Sequence, residues 1–219
     1  MTRKLLSEFL GTFGLVFTGC GAVVVNDLTG GVIGHLGICT VFGLVVMAMV
    51  YSFGNVSGAH INPAVTIAFW LSGRFPLKEV GPYIIAQCIG SIVACVLLWY
   101  LFPDDSTYLG ATLVSGTIMQ SFVLEVVITF LLMLIIIMVA TGSKEVGTLA
   151  GIAIGAAVTL LALVGGPISG ASMNPARSLG PALISGHLEN IWLYFVAPII
   201  GAALAVPVSN VLKKGEQFD

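Results

Sequence analysis

Ser57-Gly58-Ala59-His60-Ile61-Asn62-Pro63-Ala64-Val65 and Ser169-Gly170-Ala171-Ser172-Met173-Asn174-Pro175-Ala176-Arg177 are two copies of one pattern, Ser-Gly-Ala-x-x-Asn-Pro-Ala. Asn is a strong helix N-cap. Pro is favoured as the first helical residue, where its missing N–H is not needed. Each copy therefore predicts a helix start at its Asn-Pro-Ala. Each predicted helix is short, because the first meets Ser72-Gly73 and the second meets Gly186. Both sit among long apolar runs. Two interrupted hydrophobic segments in corresponding halves of a chain point to a pore or binding site at the centre of a repeat-built membrane protein.

Composition agrees. The 219 residues are 58% hydrophobic and only 8% charged, against about 25% charged in a soluble domain. The net charge of −2 comes without a basic patch, so nothing favours a nucleic-acid partner. Cys20, Cys39, Cys88 and Cys95 all fall in apolar runs, fit no metal spacing, and read as small buried hydrophobes rather than disulfides. No cofactor or metal is expected. No nucleophile–base set, carboxylate pair in a cleft or phosphate-binding Gly loop appears, so an enzyme is the weakest reading.

Six apolar stretches are long enough to cross a bilayer, roughly 5–25, 35–54, 80–101, 119–140, 148–166 and 190–212. The segments 63–71 and 175–184 are half that length. Half-helices at membrane depth are tolerated only when buried in protein or lining a wet cavity. The first run resembles a signal peptide in having Arg3-Lys4 ahead of it, but its length and the later recurrence of its Glu8 favour a retained span. If six spans alternate, Arg3, Lys4, Arg74, Lys78, Lys144, Lys213 and Lys214 share one side, while Asp27, Asp104, Asp105 and Glu189 share the other. The positive-inside rule then puts both termini in the cytoplasm. The sequon Asn55-Val56-Ser57 lies against the first motif and is read as accidental. His35 and His187 are placed in outer loops and given no role.

The duplication extends beyond the motifs. Glu8-x-x-x-Thr12-Phe13 matches Glu125-x-x-x-Thr129-Phe130, and Ala86-Gln87-x-x-Gly90 matches Ala197-Pro198-x-x-Gly201. Three spans per half make the repeats inverted, about 1–110 and 111–219 within one domain of 1–219. The expected fold is an all-α membrane protein of six transmembrane helices plus two half-helices whose Asn-Pro-Ala ends meet near the midplane. Gly151-x-x-x-Gly155 and Gly90-x-x-x-Ala94 predict close helix packing.

The charged and polar residues at membrane depth carry the chemistry. Two half-helix ends facing one another, each with roughly half a positive charge, repel cations but not neutral dipoles. Asn62 and Asn174 can cap with the carboxamide oxygen and donate from the NH₂ to a passing oxygen. Arg177 is the one Lys or Arg far from the basic side, and a charge there is functional by default. Glu8 and Glu125 have two readings: a proton relay, or acceptors for the stranded N–H groups of the Ser-Gly-Ala loops. One per half favours loop support. His60 is either an ordinary bonded core histidine or part of the inner vestibule.

These features resemble the major intrinsic protein family, the aquaporins and aquaglyceroporins, over essentially the whole chain. The resemblance rests on the two motifs, with Pro63, Ala64, Pro175 and Ala176, on Arg177 after the second, on His60 before the first, and on the paired glutamates. It implies a right-handed six-span bundle, an hourglass pore in each monomer and a homotetramer in a cell membrane, plasma or bacterial inner. By family spacing it also implies a selectivity filter of Phe42, Ala162, Ala171 and Arg177. Water-selective members typically place His at the Ala162 position, and glycerol facilitators Trp at Phe42 and Asp at Ser178. The stretch Gly165–Met173 is similar to nodulin-like intrinsic proteins of plants and their bacterial relatives. The reading is a passive channel for water and small uncharged solutes such as glycerol, urea or metalloid hydroxides, closed to protons and ions. A water-selective channel, a proton-coupled transporter using Glu8 or Glu125, and a closed junction protein are the alternatives.

Overall fold

A computed structural model describes residues 1–140 and 147–214. Lys144 and Glu145, in the inner loop, lie outside the described residues, as does the side chain of Lys214. The described residues form eight α-helices: α1 Thr2–Leu28, α2 Gly34–Ser57, α3 Pro63–Leu71, α4 Leu77–Leu101, α5 Ile118–Ala140, α6 Ala150–Ser169, α7 Pro175–Ser185 and α8 Leu193–Lys214. Six of them, all but α3 and α7, are long and apolar enough to cross a membrane. The half-helices α3 and α7 have 9 and 11 residues. At 1.5 Å per residue they reach about 14 and 17 Å, half of a ~30 Å hydrocarbon core.

The local chemistry explains where each half-helix begins and ends. Asn62 and Asn174 are N-caps in extended conformation, and Pro follows each at the first helical position. α3 stops at Ser72, and α7 stops at Gly186, whose φ of 78° supplies a left-handed cap. Upstream, α2 and α6 both end on a left-handed glycine, Gly58 and Gly170, with φ of 88° and 76°.

Each half-helix packs against a span of the opposite half: α3 lies against α8, and also against its neighbour α4, while α7 lies against α4 and α1. α1 runs along α4, α5 along α8, and α2 along α6. Glycines set these crossings. A Cβ on Gly90 would stand 2.4 Å from the Phe9 carbonyl oxygen, and one on Gly201 would stand 2.3 Å from the Val126 carbonyl oxygen. Gly43 and Gly155 bring α2 and α6 equally close: a Cβ on Gly155 would meet the Gly43 carbonyl at 2.6 Å. In a bilayer, where lipid offers apolar surface too, such close backbone approach carries much of the packing energy.

Two sequence placements change. His35 is not in a loop. It sits in the first turn of α2, where its Nε2 reaches the Leu163 carbonyl at 2.9 Å. Asp27 is in the last turn of α1 rather than in the following loop. In both cases the helix runs past the apolar stretch, because side chains at helix ends reach polar partners without breaking the backbone ladder.

Candidate functional site

The two Ser-Gly-Ala loops are strained backbone held by a carboxylate. Ala59, Ile61, Ala171 and Met173 have φ of 46°, 44°, 45° and 51°. Such left-handed non-glycine residues cost about 1–3 kcal/mol each and persist only when the surroundings fix them. Glu8, fully buried on α1, does so for the first loop. Its Oε1 accepts from Ser57 Oγ at 2.7 Å and His60 N at 2.9 Å, and its Oε2 from Ile61 N at 2.7 Å and Gln87 Nε2 at 2.8 Å. Glu125 on α5 repeats this in the second loop, accepting from Ser169 Oγ at 2.6 Å, Ser172 N at 2.8 Å and Met173 N at 2.8 Å. Hydroxyl and N–H donors thus surround both carboxyl groups. Ser57, the residue of the sequon, is buried in this network.

The half-helix ends meet. Asn62 Oδ1 caps Ala64 N at 2.9 Å, and Asn174 Oδ1 caps Ala176 N at 3.0 Å and Arg177 N at 3.3 Å. The amide nitrogens cross over. Asn62 Nδ2 donates to the Met173 carbonyl at 2.7 Å, and Asn174 Nδ2 donates to the Ile61 carbonyl at 2.9 Å. Each NH₂ thus uses one of its two protons to tie the loops together and keeps the other. Both asparagines line a cavity of about 1100 Å³ that runs between the two loops.

One end of that cavity is basic and aromatic. Lys4 and Arg74 line it, with Phe69, Phe75 and Tyr83 around His60. The imidazole stacks on Phe69 at 4.8 Å and meets Phe75 edge-on at 4.8 Å, while Nδ1 contacts Thr66 Oγ1 at 3.1 Å. His60 therefore stands both bonded in the core and at the cavity wall. Lys4 also pairs with Glu79 at 3.1 Å.

Toward the other end the lining includes Phe42, Ala162, Ala171 and Arg177, contributed by α2, α6, the second loop and α7. The Arg177 guanidinium is 5.0 Å above the Phe42 ring and donates from Nη1 to the Gly110 carbonyl at 2.8 Å. Phe42 is seated by Gly19, where a Cβ would collide with the ring at 2.3 Å. Ala162 and Ala171 add only methyl groups to the same lining. The arrangement offers guanidinium donors, one aromatic face and an otherwise open apolar wall.

Several residues of the site escaped the sequence reading. Tyr83 and Tyr194 donate to the Ser57 and Ser169 carbonyls at 2.9 and 2.8 Å, closing the two loops from the outside. They stand three residues before Ala86 and Ala197, so extending that repeat backwards finds them. Thr112 donates to Ser178 Oγ at 2.8 Å, and Ser178 shares a 2.6 Å contact with Ser172. Gln87, noted in the sequence only as part of a repeat, and the Gly110 carbonyl, which carries no local signal, complete the set.

A family model described as Major intrinsic protein matches residues 1–208. The chain is 46% identical over 211 residues to Aquaporin NIP1-1 of Zea mays, covering 96% of this chain and 75% of that protein. It is 47% identical over 211 residues to Nodulin-26 of Glycine max, covering 96% and 78%. Its structure is similar to that of the aquaglyceroporin from Plasmodium falciparum, with a TM-score of 0.82 at 27% identity over 96% of this chain and 99% of that one.

Proposed function

The chain belongs to the major intrinsic protein family, and on that premise we propose that its central cavity is a broad neutral-solute pore filtered at Phe42, Ala162, Ala171 and Arg177. The protein is a multi-pass membrane channel for water and small neutral solutes, not an enzyme. The observation that carries the finer reading is that Ala162 and Ala171 line the same cavity as Arg177 and add only methyl groups to it. A wall without a bulky hydrogen-bonding side chain leaves room for a glycerol- or urea-sized solute, whose oxygens accept from the guanidinium. At the midplane, the opposed ends of α3 and α7 and the remaining N–H of Asn62 and Asn174 orient a passing water and repel hydronium. Glu8 and Glu125 support the loops. All four carboxylate oxygens have fixed donors, which argues against a proton-coupled transport cycle. His60 and its aromatic neighbours form the inner vestibule. Arg3, Lys4, Arg74, Lys78 and Lys213 support an orientation with both termini in the cytoplasm of a plasma or bacterial inner membrane. A homotetramer is the assembly that family membership supports.

Proteoliposomes followed by stopped-flow light scattering test the reading. Fast shrinkage in sucrose and fast re-swelling in glycerol are expected, with the glycerol phase lost in Ala162→His while the water phase remains. Fast shrinkage without glycerol entry in the unaltered protein would mean that the Phe42 ring closes the filter to all but water.

A further inference from the structure

We propose that Asp105, in the loop between α4 and α5, is the positioning residue that sets the filter guanidinium. It acts through the backbone. Arg177 takes its place by donating to the Gly110 carbonyl at 2.8 Å. That carbonyl is offered by three consecutive left-handed residues, Tyr108, Leu109 and Gly110, with φ of 54°, 58° and 68°. Two of the three are not glycine, so the turn opposes its own side chains and must be held from outside.

The Asp105 carboxylate holds it on both flanks. Oδ1 accepts from Thr107 N at 2.9 Å and from Thr107 Oγ1, and Oδ2 accepts from Leu109 N at 2.6 Å. Leu109 is then turned inward and buried. Gly110 is pressed onto α1, where a Cβ would stand 3.1 Å from Cys20 Cα. A half-buried carboxylate thus fixes the Leu109 N–H, the carbonyl of the following residue, Gly110, fixes Arg177, and Arg177 covers Phe42. This inference rests on the reading of Arg177 as a filter residue.

A double-mutant cycle on the glycerol-to-water permeability ratio tests it, in proteoliposomes of wild type, Asp105→Ala, Asp105→Asn, Arg177→Ala and the Asp105→Ala/Arg177→Ala pair. Releasing the guanidinium widens the constriction, which helps glycerol more than water. Asp105→Ala is expected to raise the ratio about three- to tenfold, the range for losing one ordinary hydrogen bond. Asp105→Asn keeps one acceptor oxygen and should fall between. In the Arg177→Ala background, Asp105→Ala should change the ratio by less than about twofold, because its only route is gone. A wild-type ratio in Asp105→Ala while Arg177→Ala shifts it would overturn the proposal alone. So would an Asp105→Ala effect that persists in full without Arg177, the mark of general scaffolding. An unchanged ratio in Arg177→Ala would remove the filter reading itself, and this inference with it. Should Asp105→Ala not reach the bilayer, Asp105→Asn takes its place in the same cycle.

Discussion

The two Asn-Pro-Ala loops share a skeleton and differ in what hangs on it. In both, a left-handed glycine ends a span, two further residues turn left-handed, a buried glutamate takes the stranded N–H groups, and a tyrosine closes the outside. The first loop then adds an amide and an imidazole. Gln87 Nε2 bridges Glu8 and Thr66, and Thr66 contacts His60. The second adds a chain of hydroxyls, Thr112 to Ser178 to Ser172, and the guanidinium of Arg177. A Ser stands where the first loop has His60, and Pro198 where it has Gln87. The two copies thus share backbone geometry and differ in side chains: an imidazole among aromatic rings beside the first, a guanidinium and a chain of hydroxyls beside the second.

The difference has a sharp consequence at the glutamates. Every partner of Glu125 is a donor, so in Glu125→Gln the new NH₂ meets an N–H or hydroxyl that had an acceptor. Among the described residues, Gln87 Oε1 in the first half has no hydrogen-bond partner. In Glu8→Gln, a flip of the Gln87 amide supplies an acceptor to the new NH₂ and leaves only the Ile61 N–H without one. Glu125→Gln should therefore cost about 2–4 kcal/mol and Glu8→Gln about half of that. Thermal unfolding of the detergent-solubilised protein measures both, and equal losses would erase the asymmetry.

The shared skeleton is tested next. Gly90→Ala and Gly201→Ala each drive a methyl into a backbone carbonyl of the neighbouring span. Backbone cannot step aside as a flexible side chain can, so each should cost about 1–3 kcal/mol, and by similar amounts. A large disparity in melting temperature would show that the crossings of α1 with α4 and α5 with α8 are not energetically equivalent. The smallest effect belongs to the tyrosines: Tyr83→Phe and Tyr194→Phe each remove one donor from a loop carbonyl, for about 1 kcal/mol. Amide exchange at Gly58–Ile61 and Gly170–Met173 should rise only in the loop whose tyrosine was changed.

The spans, both half-helices and the residues facing the cavity were legible because each has a local cause. Apolar length marks a span, Asn-Pro sets a helix start, and Gly186 sets a stop. The four positions proposed as the filter came from resemblance, and the chain brings them to one cavity from four separate elements. His35 was misplaced because the edge of an apolar run is not the end of a helix.

The sequence by itself determined that this chain carries one motif twice, has six stretches long and apolar enough to cross a membrane, and sets two capped half-helices and one stray arginine among them. Those are consequences of transfer energy and capping, which act over a few residues. Only the tertiary structure decided where the free donors go. Asn62 finds the Met173 carbonyl 111 residues away, and Arg177 finds that of Gly110 67 residues away. A backbone carbonyl is the same at every position in a sequence. Which one is offered depends on the left-handed turns that aim it and on the glycines that let the helices approach.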